Sequence, residues 1–120
     1  MQLVNLSKDR KIAVEMACAY TFFSRLKGLM FTRQLHSGTG LHINPCPSVH
    51  TFFMNYAIDV VYLDQQHVVV AVDHQLEPGK LGRRYKHVVS VVELSAGTAQ
   101  KTKLEIGDQL KFSYKGEGKV

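Results

Sequence analysis

Three runs of this 120-residue chain, Ile58–Leu63, His67–Asp73 and Val88–Leu94, are rich in β-branched residues and apolar at consecutive positions. A strand with one wet face alternates polar and apolar side chains, whereas a strand apolar on both faces belongs in the middle of a sheet. This requirement constrains the fold more than any other feature. The first two runs are separated only by Asp64-Gln65-Gln66, so they read as a hairpin. The loop lacks Asn-Gly or Asp-Gly, which leaves its turn type open.

The remaining elements are shorter. Residues 2–6 alternate enough for a first strand. Ile12, Val14, Met16, Cys18 and Tyr20 make a period-2 apolar face, which predicts one half-buried strand with Cys18 as a small core residue. Thr21 can cap a two-turn helix through Lys27, with Arg25 and Lys27 at its carbonyl end and Gly28 as the stop. Leu41 and Ile43 start a strand after the glycine-rich turn at 36–40, with His42 and Asn44 on its other face. Ser95-Ala96-Gly97-Thr98 leads into a short second helix through Thr102. That helix start is a candidate anion site, although a capping turn explains the same residues. Leu110, Phe112 and Tyr114 alternate as a last strand, and Lys115–Val120 reads as a frayed end. His74–His87 reads as a long polar loop, the predicted mobile segment, with Lys80, Arg83, Arg84 and Lys86 set against Glu77.

The sum is a mainly β (α+β) fold of about seven short, mostly antiparallel strands with two short helices. The strands are too closely spaced for repeated βαβ units, and a small rolled sheet or barrel hides their edges economically. The length predicts a single domain over residues 1–120. The net charge of +5 brings with it no motif that reads RNA or DNA, so nucleic-acid binding is not expected. Cys18 and Cys46 fit no C-x-x-C pattern, no apolar run approaches the ~20 residues of a membrane span, and the first residues lack an apolar export signal. The expectation is a cytoplasmic protein with two reduced thiols, no membrane segment and no cofactor.

Candidate chemistry gathers in one stretch. Cys46 to Asp64 places a cysteine, a histidine, a methionine and two aspartates in an otherwise apolar run, and Pro45 and Pro47 disfavour a helix there. If residues 50–54 are extended, His50, Phe52 and Met54 share one face. Glu93, among the valines of the last buried run, shares a face with Val89 and Val91 and needs a partner or an open sheet end. Cys46, His50, Met54, Asp59 and Glu93 therefore form the expected pocket.

Several pieces occur in a recognisable order. They are Arg25-Leu26-Lys27-Gly28-Leu29-Met30, Gly40-Leu41, His50-Thr51-Phe52-Phe53-Met54, Ile58-Asp59-Val60-Val61-Tyr62-Leu63-Asp64, Val92-Glu93-Leu94-Ser95-Ala96-Gly97 and Gly107-Asp108. Over residues 11–112 the ordered set resembles the domain-of-unknown-function family numbered 192. Phe53 stands where that family often has Trp, and Ala57-Ile58 stands where it often has Pro-Leu. The resemblance implies a compact, mostly-β domain and carries no activity.

Three functions are compatible with these residues. A non-catalytic binding or accessory module accords with the lack of phosphate-loop, metal-spacing and nucleophile motifs, its partner left open between a protein and a small anionic ligand. A cysteine-dependent enzyme would use Cys46 as nucleophile, His50 as base and Glu93 or Asp59 as the orienting carboxylate. A Cu(I) site would use Cys46, His50 and Met54. Strung along one strand these three span roughly 25 Å, too far to converge without a bend.

Overall fold

The computed structural model describes residues 1–30 and 32–114. The order of elements is β1 (Gln2–Asn5), β2 (Arg10–Ala13), β3 (Glu15–Ala19), α1 (Phe22–Lys27), β4 (Thr39–Ile43), β5 (Ile58–Leu63), β6 (Val69–Leu76), β7 (Ser90–Ser95), α2 (Thr98–Lys101) and β8 (Leu110–Ser113). The expected end at 115–120 lies outside the described residues.

The strands form two sheets, β2-β1-β8 and β3-β4-β7-β5-β6. All neighbours pair antiparallel except β3 and β4, which run parallel. The mainly β reading therefore holds, with eight strands in place of about seven, and the sheets do not close into a barrel among the described residues. Every residue of β5 is buried, as are the first five of β7, as expected of central strands. The remaining apolar run, at 67–73, instead forms β6, which lies at the edge of its sheet and buries only Val69 and Ala71, because no further strand pairs on its outer side among the described residues.

Their side chains alternate between two cores. Val61, Leu63, Val92 and Leu94 face Leu3, Ile12 and Leu110 of the three-stranded sheet. Ile58, Val60, Tyr62 and Val91 face the opposite way, onto Val49 and Met54. The hairpin turn closes through Asp64, whose Oδ1 accepts from the amides of Gln66 and Val68 at 2.9 Å each.

Three further expectations change. Residues 12–20 are two strands, because the chain leaves one sheet for the other at Val14. The amides of Val14 and Glu15 both donate to the Gly38 carbonyl (2.8 and 3.2 Å). The switch breaks the period-2 face, so Met16 and Ala19 are buried while Cys18, on an edge strand, is exposed. Cys18 is not a core residue. Second, the strand expected to end at Asp73 runs on to Leu76. Third, the polar loop after it is tied down at Thr51. The Thr51 hydroxyl donates to the Glu77 carbonyl (2.6 Å) and accepts from the Lys80 amide (2.8 Å). The Thr51 backbone exchanges further hydrogen bonds with Lys80 and Gly79. Gly82 fits under this strap because a β-carbon there would lie 2.5 Å from the Tyr62 hydroxyl and 2.9 Å from Val49 Cγ2.

Candidate functional site

Residues 44–57 form neither a helix nor a strand. Thr51–Met54 turns, with the Met54 amide donating to the Thr51 carbonyl at 3.2 Å and Phe53 at a φ of 64°. The extended segment expected over 50–54 is absent, so His50, Phe52 and Met54 do not line up on one strand face. The turn instead folds the segment beneath α1.

α1 begins at Thr21, whose hydroxyl accepts from the Ser24 amide while Ser24 Oγ accepts from the Thr21 amide, a reciprocal cap. It ends at Gly28 as expected, and Leu29 packs back on the second core. The Arg25 guanidinium donates to the carbonyls of Thr21 (3.3 Å) and Pro45 (3.1 Å), which clamps the helix to the loop.

Between them lies a partly open cavity of about 60 Å³, lined by Gly28, Leu29, Ile43, Cys46, His50, Met54 and Glu93, among others. A shallower groove of about 260 Å³ adjoins it and shares Arg25, Leu26, Cys46 and His50 as walls.

Glu93 lies opposite Leu41 on one side and Val60 on the other, on the second core's face of β7. It is 3 % exposed, and its Oε1 has no hydrogen-bond partner. Burial pushes its carboxyl up to about 7. Gly28 ends the helix directly over this group, since a β-carbon at Gly28 would sit 3.5 Å from Oε1. His50 bridges to Leu81 and stacks on Phe52 (centroids 5.2 Å apart, planes at 24°), and its Nδ1 is also buried without a partner. The Cys46 thiol donates to the Ser48 carbonyl at 2.8 Å, and burial raises its pKa above the ordinary thiol value. Met54 is buried on the same cavity.

Four of the five expected pocket residues thus share one cavity. The fifth, Asp59, does not line it. In the register Asp59 faces Leu94 while Glu93 faces Val60, so the two carboxylates project from opposite faces of the sheet. Asp59 is fully buried, and its oxygens accept from the amides of Gln75 and Ala99 at 2.8 Å each. The Ala99 amide opens α2, so the carboxylate at that helix start is the chain's own. Beside it, the hydroxyls of Ser95 and Thr98 pair at 2.7 Å.

Arg25 and Thr51 escaped the sequence reading as site-forming residues. Arg25 reads as solvated charge until the Pro45 carbonyl is seen beside it. Thr51 resembles any strand threonine, and its role depends on a loop about thirty residues away. Among the described residues no three His, Cys, Asp or Glu side chains gather as metal ligands. No helix among them is long and apolar enough to cross a membrane.

These features define a two-sheet α+β fold with a small, half-open cavity that holds an unpaired buried carboxylate. The chain belongs to domain-of-unknown-function family 192, described as Uncharacterized ACR, whose pattern matches residues 3–112. It is 30% identical to a UPF0127 protein of Pyrococcus furiosus, covering 92% of this chain and 97% of that one. A UPF0127 protein of Pyrococcus horikoshii is 31% identical over the same shares. A crystal structure of a protein of unknown function from Novosphingobium aromaticivorans has the same fold. Its TM-score is 0.80 at 18% identity, covering 92% of this chain and 82% of that one.

Proposed function

We propose that this protein is a non-catalytic binding module whose binding centre is the cavity beneath α1. One observation carries the reading: Glu93 Oε1 and His50 Nδ1 are both buried, both unpartnered and on the walls of the same cavity. Leaving a buried polar group unsatisfied costs about 1–3 kcal/mol. A ligand that donates a hydrogen bond to Glu93 and engages His50 recovers that cost on binding. The surrounding Leu29, Ile43 and Met54 favour a small group with an apolar body. The Cys46 thiol supports this reading over a nucleophilic one. A reactive cysteine has a depressed pKa and a base in contact, whereas Cys46 is raised and donates to a carbonyl.

The experiment is a thermal-shift screen of nucleotides, metabolites and short peptides against the parent, Glu93→Gln and His50→Gln. A ligand of the cavity raises the parent's Tm and shifts the two variants less. A product formed by the parent from any member of the panel and lost in Cys46→Ala would replace this reading with the enzymatic one.

A second reading has its own support. The turn at 51–54 brings Cys46, His50 and Met54 to one cavity, which an extended strand forbids. Thiolate, imidazole and thioether are a donor set suited to Cu(I). Titration with Cu(I) against a competing chelator tests it, and a stoichiometry far below one ends it.

A further inference from the structure

α1 is unusual in burying none of its residues. Phe22 and Leu26 are 65 % and 57 % exposed, yet both line the groove beside the cavity, across from Pro45, Pro47 and His50. The apolar surface continues past His50, because Phe52 stacks on that ring and Leu81, 72 % exposed, bridges to its backbone. Contiguous exposed apolar surface around a concave groove marks an interaction site more often than it marks ordinary surface.

The rim has a sign. Arg25 and Lys27 stand on the helix side, and Lys80, Arg83 and Arg84 on the loop that runs beside residues 48–51. None of the five makes an ion pair with a carboxylate among the described residues. The acidic residue of that loop is Glu77, against four cations, Lys80, Arg83, Arg84 and Lys86.

We infer that this groove docks an acidic segment of a protein partner. One apolar side chain of the segment inserts between α1 and the 45–50 loop, and flanking carboxylates pair with the cations of the rim. The inference rests on the binding-module reading and names the partner of its outer half. Charge complementarity selects an acidic partner. Concavity selects a segment with an anchor side chain over a flat lipid surface, because a bilayer cannot fill a groove of side-chain width.

The test uses the full chain and fluorescently labelled synthetic peptides. One set carries a central Leu, Phe or Trp flanked by Asp and Glu. A second set flanks the same anchors with Lys, and a third is acidic with no anchor. Vesicles containing phosphatidylserine are run beside them. The anchored acidic peptides are expected to bind, and more weakly at higher salt. Leu26→Ser and the double variant Arg83→Glu/Arg84→Glu each lose about tenfold or more in affinity. These side chains are exposed, so the variants keep the parent's Tm, which is measured alongside. Equal binding of the anchor-free or Lys-flanked peptides overturns the inference, as does binding of vesicles alone or of none of the probes. Glu93→Gln separates the two readings. A small ligand lost in Glu93→Gln, with no peptide bound, leaves the cavity standing and removes the acidic partner. Peptide binding that survives Glu93→Gln but not Leu26→Ser does the reverse.

Discussion

Cys46 and Cys18 carry the same group in different surroundings. Cys18 lies exposed on an edge strand, where the sheet switch at Val14 has turned it outward. Cys46 is partly covered, donates to the Ser48 carbonyl and is held protonated by burial. Alkylation requires the thiolate and access to it. Timed iodoacetamide labelling read by peptide mass spectrometry should therefore modify Cys18 well before Cys46. Equal rates, or Cys46 first, would restore the nucleophilic reading of this site. Asp59 makes the complementary case. A buried carboxylate among valines looks functional in sequence, but both its oxygens are taken up by backbone amides of β6 and the start of α2. Asp59→Ala removes two charge-assisted hydrogen bonds and should cost about 3 kcal/mol, read as a loss in urea-denaturation midpoint. Ligand or peptide affinity, measured where the variant is folded, should stay at the parent's value.

Thr51 joins two irregular segments that have little secondary structure of their own. Its hydroxyl and backbone bind residues 77–80, and the neighbouring Gly82 amide donates to the Val49 carbonyl at 2.8 Å. Thr51→Val keeps the shape but strands the Lys80 amide. We expect a loss of about 1–3 kcal/mol and faster hydrogen exchange concentrated in 77–82. Uniform loss of protection over the whole chain would mean that the strap is not an independent unit. α1 divides in the same way between local and distant causes. Thr21, Ser24 and Gly28 start and stop the helix locally, so its boundaries are legible in sequence. Its lack of a buried face is not, because Phe22 and Leu26 have the spacing of a core stripe.

Two buried groups give the whole molecule opposite pH responses. His42 shares a hydrogen bond with the Tyr20 hydroxyl at 2.8 Å, stacks on Phe112 and is almost fully buried, so burial, reinforced by His67, lowers its pKa to about 4 from 6.5. The unfolded chain protonates His42 first, so its contribution to stability is present above pH 6.5 and is lost as pH falls towards 4. Glu93 moves from 4.5 to about 7. The folded state holds that proton longer, so its contribution is full below pH 4.5 and is lost as pH rises to 7. Each amounts to ~3 kcal/mol at 1.36 kcal/mol per unit. Between pH 4.5 and 6.5 they offset, and the parent's stability should be nearly flat there. Glu93→Gln should gain stability as pH rises from 4 to 6.5, while His42→Phe should lose it from 4.5 to 7. Denaturation curves across that range check both slopes, and a flat profile in Glu93→Gln would show that His42 titrates normally.

Features that depend on neighbours along the chain were legible in the amino-acid order. The valine runs at 58–63 and 88–94 read as central strands, Thr21 and Gly28 as the bounds of a helix, and Pro45 and Pro47 as a bar to one over 44–47, whereas the same reading misplaced the 67–73 run, whose strand β6 lies at the sheet edge. The gathering of Cys46, His50, Met54 and Glu93 was legible as a group because each stood polar or reactive among apolar residues. Register and contacts between distant segments, by contrast, exist only in the folded molecule. Side chains alternate along a strand, so pairing Asp59 with Leu94 and Val60 with Glu93 sent one carboxylate to α2 and the other to the cavity. No single strand contains that choice. Nor does the Cys18 segment reveal that its strand changes sheets, since the deciding acceptor is the carbonyl of Gly38, more than twenty residues on.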